Sequence, residues 1–159
     1  MNLAPLLPEI QRLPAFKQLV QDLSGHQNPL LSLPLPRSVR TALLAGLANA
    51  LPGPLVYVTA RVDRAHTVAE ELAAWDPKLE ALPFPEPDAL FYELASWGDR
   101  ALRRRMTVLA KLTQNQQPGS PTPDVDSNNF LILTTARAMM THTLSSRDVF
   151  GNSRWVKAG

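Results

Sequence analysis

The sequence predicts an α/β fold, a three-layer sandwich built on a small, mostly parallel sheet. Three observations lead there. Short apolar runs alternate with longer amphipathic stretches along most of the chain. Most of the fifteen prolines fall at the boundaries between these segments. The run Pro54 to Thr59 is continuously apolar, the pattern of a strand buried on both faces inside a parallel sheet. Such alternation implies right-handed crossovers that place helices on both sides of the sheet. At 159 residues and 45% hydrophobic composition the chain is long and apolar enough to build a packed core.

Taken in order, residues 8–23 carry Phe16, Leu19, Val20 and Leu23 at helical spacing, with Ser24 and Gly25 as a stop. Leu30 to Leu35 reads as a short buried strand. Val39, Leu43, Leu47 and Leu51 mark one face of a helix that ends at Pro52-Gly53. After the strand Pro54 to Thr59, a stripe of Ala65, Val68, Ala69, Leu72 and Trp75 predicts a helix over 62–75. Leu79 to Phe84 is a shorter strand closed by the turn Pro85-Glu86-Pro87-Asp88. Asp99 is a suitable N-cap for a helix with Leu102, Met106, Leu109 and Leu112 facing inward. Phe130 to Leu133 is the fourth strand, and Thr134 or Thr135 caps a short helix through Met139 and Met140. The expected organisation is an N-terminal helical segment (1–28), an α/β domain (29–146) with a polar mobile loop at 114–128, and the start of a following domain or tail (147–159). Four strands make a small sheet that further chain would complete, and an open edge of this kind leads us to expect self-association.

Bulk composition excludes several functions. With no cysteine, disulfides, thiolate zinc sites and a cysteine nucleophile are ruled out, and a cytoplasmic location is expected. A net charge of +2 gives no polybasic character. No apolar run approaches the roughly 20 residues that span a bilayer. His26, His66 and His142 are dispersed without metal-ligand spacing, Asp88 and Glu93 have no convergent third ligand, and no G-x-S-x-G elbow occurs. We therefore expect no metal site, no cofactor and no catalytic residue.

The stretch Pro34 to Thr41, PLPRSVRT, lies between an apolar run and a helix, where a phosphate-binding loop would stand. A working loop reads G-x-x-x-x-G-K-[ST], its glycines letting backbone N–H groups close round phosphates. Here there is no glycine and no lysine, and two prolines remove donors outright. Arg40 and Thr41 occupy the positions of the lysine and hydroxyl. The fold expectation is accordingly a P-loop NTPase-like sandwich whose nucleotide site is degenerate. Arg100, Arg103, Arg104, Arg105 and Lys111 cluster on one predicted helix. They read as a solvated face with Leu102 and Met106 buried between the charges, and alternatively as a contact for a phosphate backbone or an acidic partner.

Three segments together carry a family resemblance. GPLVYVTARVDRAHTVAEELAAW (53–75) supplies a strand and a helix with A-E-x-L. ALPFPEPDALFYELASWGDRALRRRMTVLAKL (81–112) supplies F-P-x-x-D, an aromatic-E pair and an Arg-rich helix ending in L-x-x-L. FLILTTARAMMTHTL (130–144) supplies the last strand and helix. In this order and spacing they resemble the N-terminal, UvrB-like module of bacterial transcription-repair coupling factors, over residues 8 to 150. UvrB itself has an active phosphate loop and a damage-probing hairpin. Pro34 to Thr41 replaces the first, and the direct passage from Leu79 to Phe84 leaves no room for the second.

The resemblance implies a non-catalytic scaffold. It would belong to a longer ATP-dependent DNA translocase that displaces stalled RNA polymerase and recruits nucleotide excision repair through UvrA. DNA, UvrA and RNA polymerase would be met through other parts of that parent, and no contact residue carries over to this segment. The alternatives read from the residues are a nucleotide-dependent domain and a DNA-binding domain using the basic helix 99–112.

Overall fold

A computed structural model of the chain describes residues 2–25, 31–87, 98–114 and 129–152. The expected loop 114–128 beyond Gln114, the tail beyond Asn152, and His26, Leu30, Asp88 and Glu93 lie outside the described residues.

The architecture is α/β, with a three-stranded sheet and helices on both faces. Strands β1 (Leu55–Thr59), β2 (Glu80–Phe84) and β3 (Phe130–Thr135) are all parallel, in the order β1-β3-β2. Leu55 pairs with Leu131 and Thr59 with Thr135 on one side of β3; Glu80 pairs with Phe130 and Phe84 with Thr134 on the other. All six residues of β3 are buried, as its continuous apolar run requires of a central strand. Pro83 cannot donate to a ladder and sits on edge strand β2, where that defect is tolerated.

Helix α4 (Val62–Trp75) covers one face. Its Val68 and Leu72 join Leu131 and Leu133 in one core, with Ala65, Ala69 and Trp75 packed around them, the stripe that the sequence predicts. Helix α5 (Asp99–Gln114) covers the other face, its Val108 meeting Phe84, Phe130 and Ile132. The short α6 (Ala136–Met140) adds Ala138 to that second core, and α7 (Ser146–Asn152) packs against α5. On the α5 side, Val56 and Val58 of edge strand β1 remain 50% and 48% exposed.

Three expectations need correction. The first predicted helix is broken: a 3-10 turn (Ala4–Leu6) leads into α1 (Leu7–Arg12), and α2 (Pro14–Ser24) follows. Leu13 between them is extended, with ψ 132°, because the ring of Pro14 disfavours helical backbone in the residue before it.

The expected strand Leu30 to Leu35 does not form: Leu31 to Pro36 is irregular, and Leu31 and Leu33 are exposed. Pro34 and Pro36 have no N–H, and the Leu35 N–H is used locally on the Leu33 carbonyl at 2.9 Å, so no donors are left for a ladder. The sheet therefore has three strands among the described residues.

Helix α3 (Arg37–Ala50) buries Thr41, Ala42, Ala45, Gly46 and Ala48 rather than the predicted leucine face, and Val39 is exposed. Helix α3 packs on α1 and α4 with Ala45 joining the core beside Leu131 and Leu133, and its small residues allow that close approach.

Gly46 marks the tightest point. A Cβ there would lie 2.9 Å from Cε2 of buried Phe16. By helix propensity alone, Gly46→Ala would stabilise by about 1 kcal/mol. We expect it to destabilise instead, because the Phe16 ring has no room to yield. Urea unfolding of the variant measures the sign; a rise in midpoint would refute this packing.

Candidate functional site

The two sequence-predicted sites meet different fates. At the start of α3, Pro36 occupies the N-cap position and no side chain caps the helix. The Arg40 Nε donates back to the Leu35 carbonyl at 3.1 Å, folding the side chain onto the loop where a phosphate would sit. Thr41 is 1% exposed, and its hydroxyl donates to the Glu71 carboxylate of α4. Arg64 completes the cluster, its Nη1 donating to Glu71 Oε1 at 2.9 Å and its Nη2 to Oε2 at 3.4 Å. The Arg64 guanidinium holds the Glu71 carboxyl below its ordinary value of 4.5. Partial desolvation opposes this shift, and the Thr41 hydroxyl adds to it. The hydroxyl in the metal-binding position of a phosphate loop is thus a structural clamp between α3 and α4.

The arginine cluster on α5 divides by helical angle. Arg105 is not solvated: it is 3% exposed, with its guanidinium 3.8 Å from the centroid of the Phe84 ring. Its Nη1 donates to the carbonyls of Pro85 at 3.0 Å and Ala138 at 3.3 Å. Desolvation lowers its pKa, yet its charge is held by these carbonyls and the ring face.

The helix consequently buries Ala101, Arg105 and Val108, and it turns Leu102 (49% exposed) and Met106 outward. Of the four residues expected inward, Leu109 and Leu112 pack against this core, whereas Leu102 and Met106 do not. A residue count of apolar side chains places the stripe on the leucines, whereas the bond-forming capacity of one arginine places it a residue away. Asp99 is the first helical residue rather than the cap, the first bond running from the Leu102 N–H to the Gly98 carbonyl. Lys111 pairs with Glu80 of β2 and lies 4.9 Å from the Phe130 ring centroid.

Arg100 and Arg104, four residues apart and one step round the helix from Arg105, reach the carboxyl-terminal end of the sheet. They border a cleft of about 500 Å³ together with Val62 and His66 of α4, the turn Pro85 to Pro87, and Arg137 of α6. Arg103 does not line it. Ligands of open α/β sheets bind at this end of the strands. Glu86 supplies the negative charge: it accepts from the Thr135 hydroxyl at 2.9 Å and pairs with Arg137 at 3.7 Å. Thr135 also caps α6 by accepting from the Ala138 N–H at 3.1 Å, as expected of one of the two threonines.

Sequence reasoning missed Arg137, His66 and the alignment of Glu86. The available signal was positional, since each follows or flanks the end of a predicted strand. Among the described residues no three His, Asp or Glu side chains converge as a metal site, and no helix is long and apolar enough to cross a membrane.

No protein-family model matches this chain, and neither does any curated protein.

Two outcomes test this geometry. Arg105→Ala is expected to destabilise by about 2–4 kcal/mol, since two carbonyls lose a charged donor inside a dry core. Arg105→Lys is expected to restore part of the loss, because a single nitrogen bonds both carbonyls and an ammonium can replace it, while the planar stack on the Phe84 ring is lost. Arg103→Ala is expected to stay within about 0.5 kcal/mol in the same urea titration.

Glu71 provides a pH signature. Its folded pKa is depressed, so its contribution is complete above the unfolded value of 4.5 and is lost as pH falls through the lower folded value. Glu71→Gln is expected to lower the Tm at pH 7, and the gap from the parent protein should narrow below pH 4.5. A gap that stays constant to pH 3 would contradict the clamp.

Proposed function

We propose that this chain is a non-catalytic scaffold and interaction module of the transcription-repair coupling factor type. In this reading it forms part of a UvrB-like region whose longer parent displaces stalled RNA polymerase and recruits nucleotide excision repair through UvrA. The observation that carries the reading is the state of the α3 N-terminus. Pro34 and Pro36 remove donors, Arg40 turns back onto Leu35, and Thr41 is consumed by Glu71. Phosphoryl-transfer sites of the P-loop class need a backbone cradle, a lysine on the phosphates and a hydroxyl on the metal. None of the three is available here: the prolines remove donors, Arg40 bonds its own loop, and Thr41 ties α3 to α4 through Glu71.

A thermal-shift titration with Mg-ATP tests the reading. A ligand that binds only the native state stabilises it by about 2.7 kcal/mol at 100 times its dissociation constant. No change in Tm is expected at millimolar Mg-ATP. A rise of several degrees that disappears in Thr41→Val or Arg40→Ala would overturn the proposal in favour of a nucleotide-dependent domain.

A further inference from the structure

The cleft at the carboxyl ends of the strands has two compartments. The outer one carries Arg100, Arg104 and Arg137 on its walls. The adjoining inner slot, about 270 Å³, is walled by Ala65, Ala69, Ala81, Pro83, Phe84 and Leu133. Val62, His66, Pro85, Glu86 and Arg104 border both. We propose that this cleft docks an acidic peptide segment carrying one apolar anchor residue. The proposal deepens the interaction-module reading and rests on it.

Charge and shape both point to that occupant. Among the described residues the cleft is bordered by three guanidinium groups and one carboxylate, Glu86, which is bound by the Thr135 hydroxyl and Arg137. Arg100 and Arg104 have no carboxylate within ion-pair distance among the described residues. Their planar forks, one helical turn apart, suit bidentate recognition of carboxylates. The slot beneath is lined mainly by apolar side chains, with Thr134 and Thr135 beside them, and is large enough to admit a Leu or Phe side chain, so an anion without an apolar part leaves it unfilled.

A nucleic-acid backbone fits less well. Arg103 lies outside the cleft and Arg105 is buried, so the basic run is not a continuous track along phosphates. The Phe84 ring already has Arg105 stacked on it. An acidic residue pair on either side of an apolar one uses both compartments at once.

The experiment uses the whole chain and a fluorescently labelled hexapeptide, Glu-Asp-Leu-Phe-Asp-Glu, read by anisotropy at low salt. A second peptide replaces Leu-Phe by Ser-Gly at the same charge, and a short oligothymidylate serves as the nucleic-acid probe. Saturable binding of the first peptide is expected, about tenfold weaker for the Ser-Gly peptide and about tenfold weaker for Arg104→Ala. Arg100→Glu, at an exposed position that leaves folding intact, is expected to weaken it at least as much, while Arg103→Ala leaves it unchanged.

Absence of saturation at millimolar peptide overturns the assignment. So does equal binding of the two peptides, an equal loss in Arg103→Ala, or tighter binding of the oligothymidylate. A rise in Tm with Mg-ATP that Arg104→Ala abolishes would reassign the cleft to phosphate. These results are separable from failure of the scaffold reading, which is decided by the response of Arg40 and Thr41 variants to nucleotide.

Discussion

The buried guanidinium of Arg105 sets the geometry on which the second face of this molecule depends. It joins three separate elements: the ring of Phe84 at the end of β2, the Pro85 carbonyl in the following turn, and the Ala138 carbonyl of α6. A buried charge is costly unless it is hydrogen-bonded, so the two carbonyls and the ring face favour this rotation of α5 about its axis. Everything else on that helix follows from helical angles. Ala101 and Val108 share the buried side with Arg105, Leu102 and Met106 are turned to the surface, and Arg100 and Arg104 are delivered to the cleft.

A second constraint acts on the opposite face. The start of α3 serves as a joint between helices, through the Thr41–Glu71–Arg64 cluster. In a nucleotide-binding sandwich the groups at this point are left available for ligand. Here they are satisfied within the protein, and the irregular Leu31–Pro36 segment brings no strand to the sheet. Polar function and helix packing compete for the same side chains, and in this chain packing has them. Arg100, Arg104 and Arg137 border the cleft at the ends of β2 and β3 instead.

Much of the fold was legible because its signals are local. β1 and β3 are continuous apolar runs, α4 shows an unbroken stripe from Ala65 to Trp75, and prolines punctuate the boundaries. The failures share a cause. Leu31 to Leu35 has the composition of a strand, yet whether it pairs depends on donors that Pro34 and Pro36 lack and on a neighbour that is not supplied. On α3 and α5 the leucines suggested one face, while close contact at Gly46 and hydrogen bonding by Arg105 selected another. Helical periodicity measures where apolar side chains are, not which partner the helix will meet. Half of the cleft was visible as an arginine cluster; Arg137, His66 and Glu86 were invisible because they converge only when three strands end side by side.

By itself, then, the sequence determined the alternating α/β order, the parallel character of the sheet and the absence of a glycine-rich G-x-x-x-x-G-K-[ST] pattern at Pro34 to Thr41. These rest on apolar runs and on the conformational limits of proline and glycine, which act within a few residues. Only the tertiary structure decided that the sheet order is β1-β3-β2, that Arg105 is a core residue while Arg100 and Arg104 are open to a ligand, and that Thr41 bonds to Glu71. These are choices among partners distant in the chain. Identical arginines within one helical turn acquire opposite roles because a burial environment belongs to the assembled fold and not to the residue.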